Sequence, residues 1–243
     1  MNTEKLSNRL ETVAKYIPEG YTLADIGSDH AYLPCHVVQA GKVPYAVAGE
    51  VAEGPFQSAR KQVQLEELTE KVQVRKGDGL EVIKPGEVDC ITIAGMGGAL
   101  IASILENGKE KLENVKRLIL QPNLSAISIR TWLLESGWEL IAEEILEEDG
   151  KIYEILIAEK GDPKKPYVND DLSTGLLLGP FLKKEMEPAF QTKWQGELKN
   201  WKRILQQLDR ASRSEENDKK REELQEKIKM VEEAVDNEES KRP

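Results

Sequence analysis

The sequence predicts an α/β fold: a mainly parallel, doubly wound sheet with an antiparallel edge hairpin, followed by an α-helical hairpin. Three observations carry this reading. Short apolar runs at 22–27, 45–50, 72–77, 90–95 and 117–122 alternate with helical patterns at about 31–41, 54–68, 98–106 and 125–136. Such alternation is what parallel strands need, because each crossover back to the same edge takes a helix-sized connection. Residues 138–148 and 151–160 break the alternation as two runs joined by Glu148-Asp149-Gly150, a hairpin signal. Beyond Gly161-Asp162-Pro163-Lys164-Lys165-Pro166, apolar residues recur every three or four positions, which is the helical period.

Taken in order, residues 4–16 read as an amphipathic helix with Leu6, Leu10, Val13 and Ile17 on one face, stopped by Pro18-Glu19-Gly20. The first strand, Leu23-Ala24-Asp25-Ile26, breaks at Gly27, where a residue without Cβ lets the backbone turn sharply. The second strand, Ala46-Val47-Ala48-Gly49, closes on Glu50. Gly77-Asp78-Gly79 follows the third strand and Gly95-Met96-Gly97-Gly98 the fourth; Gln121-Pro122-Asn123 ends the fifth. Leu178, Leu182, Met186, Phe190, Trp194, Leu198, Trp201, Leu205 and Leu208 predict one long helix with a continuous apolar stripe. Ser212 to Asn217 reads as a turn, and Leu224, Ile228, Val231 and Val235 as a second, shorter stripe. Two such helices would bury their stripes against each other as an antiparallel hairpin, with a frayed tail after Asp236. The expected domains are 1–161 and 162–243.

Composition narrows the function classes. One third of the 243 residues are charged and 39% are hydrophobic; no run approaches the roughly 18 apolar residues of a membrane span. The N-terminus lacks an apolar signal core. Cys35 and Cys90 do not make a disulfide framework, which fits a reducing cytoplasm. His30 and His36 are too few for a zinc site, so no metal is expected. The net charge of −10 argues against nucleic acid until its distribution is considered: residues 1–175 carry all of it, whereas residues 183–221 hold 11 basic and 7 acidic side chains.

The strand ends point to a nucleoside cofactor without phosphates. A carboxylate closing the second strand, here Glu50, can accept hydrogen bonds from both ribose hydroxyls. A dinucleotide fold wants Gly-x-Gly-x-x-Gly so that the pyrophosphate meets a helix N-terminus. Here Asp29 stands at the second glycine position and no glycine follows until Gly41. Asp25 and Asp29 would repel a pyrophosphate and attract the sulfonium of S-adenosylmethionine. Asp78 can accept from the adenine amino group, and the small residues of Gly95-Met96-Gly97-Gly98 leave room for cofactor and substrate. Each acid could instead be a helix cap, and Met96 a core residue. No phosphate loop of the Gly-x-x-x-x-Gly-Lys-Ser/Thr kind is present.

At these residues the chain resembles the bacterial TrmK family, tRNA adenine-22 N1-methyltransferases. The resemblance rests on Ala24-Asp25-Ile26-Gly27-Ser28-Asp29-His30-Ala31-Tyr32-Leu33-Pro34, Ala48-Gly49-Glu50, Gly77-Asp78-Gly79-Leu80-Glu81, Ile93-Ala94-Gly95-Met96-Gly97-Gly98 and Leu120-Gln121-Pro122-Asn123, and runs through Gly179-Pro180-Phe181 into the helical tail. It implies a Rossmann-like class I methyltransferase sheet, whose usual edge is such an antiparallel pair, and a coiled-coil-like second domain that binds tRNA. The implied reaction moves a methyl group from S-adenosylmethionine to adenine N1 in the D-arm region. The cofactor set is then Asp25, Gly27, Ser28, Asp29, His30, Glu50, Asp78, Gly79, Gly95 and Met96.

Adenine N1 carries its own lone pair, so positioning rather than deprotonation is the first requirement. Asp29 is the candidate to stabilise the charge that methylation creates and to take a proton from the exocyclic amine; it could equally only bind the methionine part. Asn123 could hydrogen-bond the adenine edge, or cap the helix at 125–136. Lys183, Lys184, Lys193, Lys199, Lys202, Arg203 and Arg210, with Arg213, Lys219, Lys220 and Arg221, form a basic stretch suited to RNA phosphates, and Arg9 could add a contact. Interleaved Glu and Asp leave open a solvated helical face. The expected partner is tRNA, with no membrane and a monomeric chain. The competing readings are a small-molecule methyltransferase with a dimerising tail and a non-catalytic nucleoside-binding scaffold.

Overall fold

The structure is a computed structural model that describes residues 3, 5–168, 171–210 and 214–239, without the side chains of 236–239. It divides into two compact units, Met1–Pro166 and Tyr167–Pro243.

The first unit is built on a seven-stranded sheet. Its strands are β1 (Leu23–Ile26), β2 (Ala46–Glu50), β3 (Val72–Lys76), β4 (Cys90–Gly97), β5 (Arg117–Leu124), β6 (Trp138–Glu148) and β7 (Lys151–Lys160), in spatial order β3-β2-β1-β4-β5-β7-β6. The first five are parallel; β7 runs antiparallel to both β5 and β6. Every residue of β1 and β2 is buried, as expected of central parallel strands covered on both faces. The chain winds outward from β1 through β2 to β3, then returns to β4 on the other side of β1. The carboxyl ends of β1 and β4 therefore flank the switch point where open α/β sheets hold their ligands. At the far edge, Asp149 and Gly150 both take positive φ (51° and 71°) between the paired Glu148 and Lys151, the two-residue turn that matches strand twist.

Helices α1 (Asn8–Tyr16), α2 (Tyr32–Gln39), α3 (Glu53–Leu65), α4 (Gly98–Asn107) and α5 (Ala126–Ser136) cover the sheet. Helix α1 is shorter than the predicted 4–16. Ser7 has extended backbone and accepts from the Leu10 amide at 3.3 Å, so it caps the helix and leaves Lys5 and Leu6 outside it. Leu6, Val13 and Ile17 are buried as expected.

The second unit corrects one expectation. The apolar stripe from Leu178 to Leu208 does not run along one helix. It passes through α6 (Leu172–Leu178), α7 (Leu182–Glu185) and α8 (Pro188–Arg210). Gly179 has φ +90°, and Pro180 after it has no N–H to continue the helix. Met186 takes φ +51°, and Pro188 restarts the chain at the first helical position. The stripe still points inward: Leu178, Leu182, Met186, Phe190 and Trp194 are buried. Helix α9 (Glu215–Glu239) starts inside the predicted 212–217 turn, since Ser214 accepts from the Asn217 amide; residues 212 and 213 of that turn lie outside the described residues. Its Leu224, Ile228 and Val231 are buried. Arg221 pairs with Asp209 (3.1 Å) and Lys202 with Glu232 (2.6 Å), an ordering that makes α8 and α9 antiparallel.

One buried polar cluster was not foreseen. Arg130 on α5 is fully buried and meets Glu143 of β6 and Glu154 of β7, each at 2.6 Å. Removing one member of such a cluster leaves an uncompensated buried charge. Arg130→Met is therefore expected to destabilise the chain by about 3–5 kcal/mol in urea unfolding; a loss below about 1 kcal/mol would show that the cluster does not depend on the guanidinium.

Candidate active site

The site is assembled from four strand ends and the turns after them. Asp25 of β1 is 5% exposed. Its two carboxylate oxygens accept from the hydroxyls of Thr92 on β4 and Ser28 in the following turn, both at 2.6 Å. Burial holds its carboxyl above the ordinary aspartate range, against the two hydroxyls and the charge of Arg9, which favour ionisation.

The turn from Gly27 to Ala31 is tightly wound. Gly27, Asp29 and Ala31 have φ of 71°, 55° and 55°. A Cβ on Gly27 would stand 2.1 Å from Met96 Cε, so the glycine serves both the backbone angle and the close packing of Met96. The Gly27 and Ser28 amides donate to Gly49 O at 2.9 and 3.2 Å, and the Asp29 amide donates to the Glu50 carboxylate. A phosphate would therefore find these three donors already occupied. Glu50 is 6% exposed, and its second carboxylate oxygen has no partner among the described residues. That acceptor fits a ribose hydroxyl. Burial raises the Glu50 pKa, with Asp25 and Asp29 adding to the effect and the Asp29 amide and His30 opposing it.

The remaining predicted residues lie at the same ends. Asp29 is exposed, 3.7 Å from His30, whose ring stacks on Tyr32. Asp78 is exposed at the start of a 3-10 turn, its amide donating to Glu81 at 3.1 Å. Asn123 does not cap α5: Ser125 occupies that position, with no side-chain cap bond. Asn123 instead donates to Gly95 O at 2.7 Å and accepts from Gln121 at 3.3 Å. Gln121, fully buried, also accepts from the Gly95 amide (3.0 Å) and from Arg9. The end of β4 is thus pinned from β5 through both the amide and the carbonyl of Gly95, where the pairing of the two strands is irregular.

Sequence reasoning did not single out Thr92, Gln121 or the inward placement of Arg9. Gln121 lay inside the quoted Gln-Pro-Asn block, and a polar residue in an apolar strand was its signal.

In the second unit, Lys184, Lys199, Lys202, Arg203 and Arg210 are exposed, and Lys183 and Lys193 half-buried. Lys184 lies over the Phe181 ring and Lys193 over Trp194. Arg213 lies outside the described residues. No group of metal-ligating side chains occurs among the described residues, and no helix among them is long and apolar enough to cross a membrane.

A family profile, TrmK: tRNA (adenine(22)-N(1))-methyltransferase, matches residues 23–233. The chain belongs to the TrmK family. A TrmK-family relative from Bacillus subtilis (strain 168), a tRNA (adenine(22)-N(1))-methyltransferase, is 54% identical over 236 residues, covering 97% of this chain and 99% of the relative. The crystal structure of the B. subtilis m1A22 tRNA methyltransferase TrmK superposes with a TM-score of 0.93 at 53% identity, covering 96% of this chain and 99% of that one. A Streptococcus pneumoniae protein in complex with S-adenosyl-L-methionine matches with a TM-score of 0.84 at 44% identity, over 95% of this chain and 100% of the other.

The raised carboxyls set a pH dependence with a definite sign. Their protonated forms favour the folded chain, so that stabilisation is complete below the unfolded pKa and is lost as pH rises through the folded one. Asp25→Asn removes its share. The variant should melt above the parent at neutral pH and gain less on acidification to about pH 4; identical melting profiles would contradict the burial account.

Proposed function

We infer that the chain transfers a methyl group from S-adenosylmethionine to N1 of adenine 22 in tRNA. The observation that carries this reading is the turn after β1, whose amides are occupied by Gly49 and Glu50 while Asp25, Asp29 and Glu50 supply negative charge. That chemistry suits a cationic nucleoside without phosphates, and the family's reaction uses one.

Bound S-adenosylmethionine supplies an electrophilic methyl carbon on a positively charged sulfur. The chain's own residues would do the rest. Glu50 holds the ribose through its free oxygen, and Asp78 accepts from the adenine amino group. Gly27, Ser28 and His30 shape the turn against the cofactor, Gly79 and Gly95 leave the space it needs, and Met96 packs over Gly27 beside it. Asn123 has one amide N–H beyond its bond to Gly95, which suits an adenine edge. The target N1 needs no base before attack, so alignment in a pocket closed to water is the main contribution. Asp29 places a carboxylate where the methylated ring becomes cationic, and its oxygen accepts the proton released from the exocyclic amine. The adenine must leave its stack to reach this site. Lys183, Lys184, Lys193, Lys199, Lys202, Arg203 and Arg210 bind phosphates, Lys202 in exchange for its pairing with Glu232. The reading includes a monomeric enzyme in the cytoplasm.

Incubation with labelled S-adenosylmethionine and unmodified tRNA should place the label at N1 of adenine 22, and a tRNA with guanine there should take none. Asp29→Asn should lower turnover by about a hundredfold or more while cofactor affinity changes far less; equal losses would make Asp29 a cofactor ligand only. Replacing Lys183 and Lys184 together by Ala should weaken tRNA binding and reduce its salt slope by about 1 for each phosphate no longer neutralised, with cofactor affinity unchanged. An unaltered slope would remove these lysines from the RNA surface.

A further inference from the structure

We propose that Arg9 is the cofactor's carboxylate anchor: its guanidinium, held against Gly95 by Gln121 and Tyr153, receives the α-carboxylate of the methionine head. The inference rests on the cofactor assignment above and adds a residue to it.

The structure gives Arg9 a position that its own partners do not explain. It is the second residue of α1 and is half-buried. One nitrogen donates to Gln121 Oε1, and the guanidinium lies 5.3 Å from the centre of the Tyr153 ring. Neither partner is charged, and among the described residues no carboxylate lies within ion-pair distance. A guanidinium has five N–H donors, and a single one is used here. A half-buried cation with spare donors and no carboxylate within ion-pair distance is set for an anion that arrives from outside.

Its location says which anion. The same nitrogen lies 3.7 Å from where a Gly95 Cβ would stand, so the group faces the carboxyl end of β4 at the ligand end of the sheet. Its charge reaches Asp25. The methionine head is zwitterionic. The negative charge of Asp25, Asp29 and Glu50 favours its ammonium and the sulfonium but repels its carboxylate. A cation must offset that repulsion. Lys76, at the end of β3, is already paired with Glu53 at 2.5 Å. Arg9 is available, and its planar fork matches a carboxylate in two-point geometry.

The test uses calorimetry on the full chain with two probes, S-adenosylhomocysteine and its decarboxylated analogue. The parent protein should bind the carboxylate-bearing probe about 10- to 100-fold more tightly. Arg9→Met should bring the two affinities together, and Arg9→Lys should restore part of the gap. Equal affinities in the parent, or a gap that survives in Arg9→Met, overturn the assignment. A fall of both affinities with the gap intact would make Arg9 a brace for the Gly95 turn; unchanged affinities with weakened tRNA binding would make it a phosphate ligand. Failure of both probes to bind the parent would instead overturn the cofactor reading itself.

Discussion

The site depends on a carboxylate kept inside the sheet. Asp25 sits between strands whose every neighbouring residue is buried, and it remains there because two hydroxyls, one from the adjacent strand and one from the turn it precedes, satisfy its oxygens. Burying a carboxylate is unfavourable unless it is hydrogen-bonded or paired. The hydroxyls lower that penalty without removing it. The charge of Arg9 lowers it further, and on the proposed function the sulfonium or ammonium of the cofactor would relieve what remains. The Ser28 bond also ties the conformation of the turn to the state of Asp25, so backbone shape and electrostatics are set together.

The second constraint is the use of backbone amides. In a dinucleotide-binding turn those donors face the pyrophosphate. Here they close on Gly49 and Glu50, within the protein. One sheet topology thus serves two ligand classes, separated by where three N–H groups point and by the sign of the charge beside them. The Gly95 turn is fixed in the same way: Gln121 and Asn123 hold its amide and its carbonyl from the next strand.

Much of this was legible in the sequence because its signals are local. Strand–glycine–acid blocks mark the ends of β1, β2 and β3, and Asp149-Gly150 marks the hairpin. The failures have physical reasons. The stripe from Leu178 to Leu208 keeps its period across Gly179-Pro180 and Glu187-Pro188, since the side chains face one core even though the backbone breaks; the prolines were the better guide. Thr92 and the inward placement of Arg9 were missed because their partners lie 67 and 112 residues away. Arg130, Glu143 and Glu154 look like surface charges one at a time and become a buried cluster only when α5, β6 and β7 are packed.

The central claim is that a negatively charged hollow, with its loop amides already bonded, selects a sulfonium nucleoside over a pyrophosphate one. Competitive calorimetry with S-adenosylmethionine and NAD on the full chain tests it most directly. The account predicts saturable binding of the first and no measurable heat from the second. Tight NAD binding that excludes S-adenosylmethionine would contradict it.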